Sequence, residues 1–135
     1  MNVLLDTNSV LDVLLDRAPF VVEASAVWDA CDRGRLVGFL PASTLTDIFY
    51  IARRTTDLAR AQVAVGLCLA AFAIAPVDRQ TLEDATALPG HDFEDNLLVA
   101  CAIRLGVAAI VTRNGADFAH APMPVLTPAE LMAQL

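Results

Sequence analysis

Five aspartates stand at junctions between apolar runs: Asp6 after NVLL, Asp47 in STLTDIFYIARR, Asp92 and Asp95 in HDFEDNLLVACA, and Asp117 in RNGADF. Taken singly, each has an ordinary explanation as a helix cap, because short polar side chains accept the free N–H groups of a first turn and carboxylates complement the helix dipole. Asp6, Thr7 or Asn8 caps the helix that VLDVLLD begins. Thr44 with Asp47, and Asp92 with Asp95, fit variants of the capping box, and Asp117 suits a short turn around Phe118. Taken together they suggest different chemistry. Ionised carboxylates gathered within a few ångströms must either raise their pKa values or hold cations. A set of oxygen donors without histidine or cysteine is hard, and suits Mg²⁺ or Mn²⁺ better than zinc. Such a site needs a substrate that also brings oxygen ligands, as phosphodiesters do.

The elements that would gather these residues are legible as alternating runs. Strand-like stretches appear at 2–5 (NVLL), 36–40 (LVGFL), 73–77 (AIAPV) and 108–112 (AAIVT), with a weaker one at 124–126 (PVL). Between them, FVVEASAVWDACDRG ends on Gly34, STLTDIFYIARR carries apolar residues at Leu45, Ile48, Phe49 and Ala52, AQVAVGLCLAAF reads as a buried helix, and EDNLLVACAIRLG ends on Gly106. TPAELMAQL reads as a short helix with Thr127 as N-cap, Pro128 first and Glu130 third. Strands alternating with helices predict an α/β fold, a central parallel sheet covered on both faces. Functional crevices in such sheets lie outside the carboxyl ends of the strands, which is where Asp6 and its companions fall.

The 135 residues predict a single domain over 1–135 with a core of its own. The chain is 56% hydrophobic, yet its longest uncharged run, 61–77, contains Gly66 and Pro76 and does not read as a membrane span. No secretory leader is expected, since Asp6 interrupts the first apolar run. Cys31, Cys68 and Cys101 are widely spaced in apolar surroundings, as reduced core residues of a cytoplasmic protein would be. His91 and His120 stand alone and are expected in loops or caps.

Nine basic residues, all arginine, face sixteen acidic ones, for a net charge of −7. The absence of lysine removes P-loop and Schiff-base chemistry. So acidic a chain lacks the charge that usually binds nucleic acid, unless cations bridge the two. Arg53 and Arg54 complement a helix C-terminus, while Arg113 is placed for a phosphate contact or for the open surface. Asp12, one turn beyond Asn8, suits either a supporting position behind the site or a solvated face.

The ordered set LLDTN, STLTDIFYIARR, DFEDNLLVACA, IVTRNGADF and PVLTPAELM resembles the PIN-domain family over essentially the whole chain. The resemblance implies a three-layer α/β/α sandwich and Mg²⁺- or Mn²⁺-dependent ribonuclease activity, as in the toxin halves of VapBC toxin–antitoxin pairs. By position it assigns Asp6, Asp47, Asp95 and Asp117 to an acidic metal-binding quartet, places Thr7 or Asn8 beside Asp6, and makes Thr112 and Asn114 the polar pair that shapes the site. Aspartate at 47 departs from the commoner glutamate. Asp92 is an additional carboxylate, as ligand, support or cap, and Asn96 stands where alanine is usual. The resemblance also implies an RNA substrate, a homodimer and an antitoxin partner. Two other readings are a binding module on the same fold with little activity, and a receiver-like phosphoacceptor domain. Missing lysine and the lack of a D-x-D-x-T pattern weigh against the second.

Overall fold

A computed structural model describes residues 1–135. Five strands form one parallel sheet: β1 (Asn2–Leu5), β2 (Val37–Pro41), β3 (Ala73–Ala75), β4 (Ala109–Val111) and β5 (Val125–Leu126), in the order β3-β2-β1-β4-β5. The helices are α1 (Thr7–Leu14), α2 (Val21–Asp32), α3 (Ala42–Thr55), α4 (Leu58–Ala71), α5 (Arg79–Thr86), α6 (Phe93–Leu105) and α7 (Pro128–Met132), with a 3₁₀ turn at Gly115–Phe118. This is the expected α/β architecture, with strands somewhat shorter than their apolar runs.

Alternation along the central strands separates two cores. Val3 and Leu5 of β1, with Ala109 and Val111 of β4, face a cluster built mainly from α1, α2, α3 and α4 and closed by Leu131 of α7. Leu4 and Ile110 face the other way, into a cluster dominated by α6 with Ala85 of α5. Strand residues buried on both faces of a sheet must be apolar, which is why Val3, Leu4 and Leu5 run unbroken to Asp6 while Asn2, at the exposed start of β1, is polar.

Several local expectations hold. Gly106 ends α6 at φ +64°, the left-handed geometry that favours glycine at a helix C-terminus. Thr127 and Glu130 form a complete capping box with Pro128 in the first turn. The cysteines are free and buried, and burial pushes their thiols up to about 11 for Cys31 and Cys101 and about 12 for Cys68.

Two expectations change. Helix α3 begins at Ala42, so Thr44 lies inside it, buried, instead of capping it. Helix α4 is core on one side only: Ala61, Ala64 and Cys68 are buried, while Val63, Leu67 and Leu69 are exposed. Small residues face inward because α4 packs closely on α3, and the large apolar residues are left outside. No helix is long and apolar enough to cross a membrane.

Candidate metal centre

Asp6 follows the last residue of β1, and its backbone N–H still donates to Val111 of β4, at 2.9 Å. It occupies the N-cap position of α1, but its side chain makes no capping bond. Instead Thr112, fully buried at the end of β4, donates its hydroxyl to Asp6 Oδ2 at 2.9 Å. The Asn114 N–H in turn donates to Thr112 Oγ1 at 3.0 Å. The first carboxylate is therefore held across the seam of the two central strands.

The capping explanation divides the remaining aspartates. Asp92 caps α6, accepting the Asp95 N–H at 3.0 Å, so that part of the ordinary explanation is correct for Asp92. Asp95 lies in the first turn of α6 with its own carboxyl free of that duty. Asp47 is half-buried on α3, whose N-cap, Pro41, makes no side-chain bond. Asp117 lies in the 3₁₀ turn after β4, also without a capping bond.

Electrostatics shows which of these groups face one another. Burial, with the charges of Asp92, Asp117 and Asp6, pushes Asp95 up to about 6. Asp6 is raised by burial and by Asp117, against the hydrogen bonds from Thr112 and the Thr7 backbone. Glu94, which the sequence reading passed over, joins the group: burial, a hydrogen bond to Asp47 and the charges of Asp47, Asp92 and Asp6 push it up to about 7. Its signal was present in the sequence, since Glu94 adjoins Asp95 in a first turn, where an acidic residue is easily credited to the helix dipole.

In the conformation seen, no three acidic, histidine or cysteine side chains close on a common point at ligating range. The chemistry of the donor set nevertheless suits a hard divalent cation. Asp6, Glu94 and Asp95 are raised first by burial and then by the charges of neighbouring carboxylates, and a bound cation would relieve that repulsion. Thr7 adds a buried hydroxyl oxygen with no protein partner. Asn8 is turned away, accepting a bond from Arg17 at 3.2 Å.

Arg113 does not project freely from the site. Its Nε donates to Asp12 Oδ2 at 2.9 Å, and its guanidinium carbon lies 4.0 Å from the centre of the Phe20 ring. Asp12 is 1% exposed, which removes the solvated-face reading. Asn96 is also buried, and its amide N–H groups donate to the carbonyls of Gly90 at 2.9 Å and Leu88 at 3.4 Å. It holds the loop before α6. The two histidines are not isolated in space: with Gly90, Asp92, Asp95 and Asp117 they line one cleft of about 370 Å³.

Over residues 2–116 the chain matches the model of the PIN domain. It belongs to the PIN-domain family. Among solved structures it is similar to DNA-bound VapBC from Salmonella typhimurium (TM-score 0.73, 15% identity, 95% of this chain and 98% of that one). It is also similar to VapC20 of Mycobacterium tuberculosis, described as a sarcin-ricin loop cleaving toxin (TM-score 0.70, 14% identity, 87% and 93%), and to a toxin–antitoxin complex from Klebsiella pneumoniae (0.69, 23%, 93% and 97%). These likenesses establish the fold. Among curated proteins no sequence match is found.

Proposed function

We propose that this PIN domain is a Mg²⁺- or Mn²⁺-dependent endoribonuclease acting as the toxin of a toxin–antitoxin pair. The observation that carries the reading is the gathering of Asp6, Glu94 and Asp95 at one edge of the sheet, each raised first by burial and then by the charges of neighbours among Asp6, Asp47, Asp92 and Asp117. Asp6, Asp47, Asp95 and Asp117 would hold the metal, with Glu94 beside Asp47 as a further oxygen donor. When bound, such a cation supplies Lewis acidity and the positive charge that an acidic protein needs in order to accept a phosphodiester. Thr112 holds Asp6 in place, and Asn114, hydrogen-bonded to Thr112, borders the space where substrate would lie. The unpaired Thr7 hydroxyl is a candidate contact for substrate or water.

Cys31, Cys68 and Cys101, reduced and inert, fit a cytoplasmic protein. The exposed apolar residues Val63, Leu67 and Leu69 on α4 provide a surface for a second copy of the chain. An antitoxin partner is favoured by the VapBC and FitAB complexes among the similar structures.

The test is cleavage of a mixed single-stranded and structured RNA by chelator-stripped protein, with Mn²⁺, Mg²⁺ or neither restored, alongside a folded Asp95→Asn variant. Cleavage that requires metal and is lost in the variant is the expected result. Mn²⁺ binding without cleavage of any RNA would point to the binding module on the same fold. A protein that neither binds Mn²⁺ nor cleaves RNA would overturn the metal reading altogether.

A further inference from the structure

Asp12 lies on α1, whose start carries Asp6, Thr7 and Asn8, and it reaches across to the segment leaving β4. Its two carboxylate oxygens accept from Arg113 Nε at 2.9 Å and from the Arg113 terminal nitrogen at 3.4 Å. Arg17 approaches the same carboxylate at 3.6 Å, and that guanidinium also donates to Asn8 Oδ1 at 3.2 Å. The Arg113 guanidinium is stacked on the Phe20 ring. Planar pairing below and an aromatic face above leave Arg113 little rotational freedom.

The position of Arg113 in the chain gives this arrangement its consequence. Its neighbours are Thr112, whose hydroxyl holds Asp6, and Asn114, whose N–H holds that hydroxyl. A grip on Arg113 is therefore a grip on the segment that orients the first carboxylate. Arg17 extends the same grip to Asn8. Stability alone is a weak reason for such an arrangement, because desolvating a carboxylate offsets most of what its ion pairs return.

We infer that Asp12 is a positioning residue of the metal centre, fixing the β4 exit through Arg113 and the α1 start through Arg17 so that Thr112 and Asp6 stay in register. The inference rests on the reading that the carboxylates hold a cation. It assigns Asp12 and Arg113 to the shell behind the donors, where substitution of a supporting group commonly weakens metal binding about tenfold to a hundredfold.

The test uses Mn²⁺ alone as the probe, titrated by calorimetry into the wild type, Asp12→Asn, Thr112→Ala and the double variant, with circular dichroism and melting recorded for each. The expected result is an Asp12→Asn protein that melts lower than the wild type, because a buried ion pair is broken, but is fully folded at the titration temperature and binds Mn²⁺ about tenfold or more weakly. The double variant should lose less affinity than the two single losses combined, because the Arg113 branch of Asp12 acts through the same segment as Thr112. Wild-type Mn²⁺ affinity in Asp12→Asn, or additive losses in the double variant, would overturn the inference and leave the metal reading standing. A wild type that binds no Mn²⁺ overturns both. Should Asp12→Asn fail to fold, Arg113→Gln, which leaves Asp12 paired to Arg17, takes its place under the same two criteria.

Discussion

The Thr112 hydroxyl donates to Asp6 Oδ2 at 2.9 Å, joining the ends of the two central strands, β1 and β4. One hydrogen bond thereby sets the direction of the first carboxylate at this edge of the sheet. Thr112→Val keeps the shape and the β-branched packing while removing the donor. Asp6 should then lose one of the bonds that oppose its raised pKa, and urea unfolding should show a loss of about 1 kcal/mol. An unchanged midpoint would mean that the bond contributes nothing in solution.

Stability of the metal-free protein should depend on pH in an unusual direction. Glu94 is raised from its ordinary 4.5 to about 7 and Asp95 from 3.8 to about 6, so between these limits the folded chain holds protons that the unfolded chain has released. The contribution of these groups is fully present below about pH 4 and is lost as pH rises through about 6 to 7. Melting in the presence of chelator should fall from pH 5 to pH 8, and Mn²⁺ should restore more at pH 8. A chelated protein that melts higher at pH 8 than at pH 5 would show that Glu94 and Asp95 are not held protonated by burial and their neighbours.

Gly90 permits a close approach that no side chain can share. A methyl group there would collide with Asn96 Oδ1 and sit 2.8 Å from His120 Cε1, both on buried or half-buried groups that anchor the loop before α6. Gly90→Ala should cost about 1–3 kcal/mol in denaturant unfolding. A neutral effect would show that Asn96 and His120 move aside freely.

The exposed side of α4 offers a separate test. Leu67 is 49% exposed, and its covered half lines one apolar groove with Leu14 and Leu15, so Leu67→Asp should destabilise the isolated chain by about 1–2 kcal/mol and leave it folded. If copies of the chain meet on this face, sedimentation should show a dimer for the wild type and a monomer for the variant. A wild type that sediments as a monomer at high micromolar concentration removes this surface from consideration.

The strands and the position of Asp6 were legible because a strand buried on both faces admits no polar residue, which makes its end visible. The parallel order and the placement of functional groups at the carboxyl edge followed from strand and helix alternation. Thr44 was misleading because the capping pattern is local, whereas the start of α3 is set by how Pro41 leaves the sheet. Helix α4, whose apolar sequence suits either core or an interface between copies, is core on one side only, because hydrophobicity does not tell inside from outside when small residues such as Ala61, Ala64 and Cys68 face the close neighbour. The approach of Glu94 to Asp47, the Asp12 to Arg113 pair and the shared cleft of His91 and His120 depend on separations of up to about a hundred residues, which spacing along a chain does not encode.

The strand order puts β1 between β2 and β4, hydrogen-bonded on both sides, whereas Glu94 and Asp95 ride on the first turn of a helix that follows a loop. Amide protons in β1 should exchange with solvent only on global opening, while those at the start of α6 should exchange through local fraying. The acidic site thus spans the slowest and some of the fastest opening parts of the molecule, and a bound cation would be a tether that slows the second without touching the first.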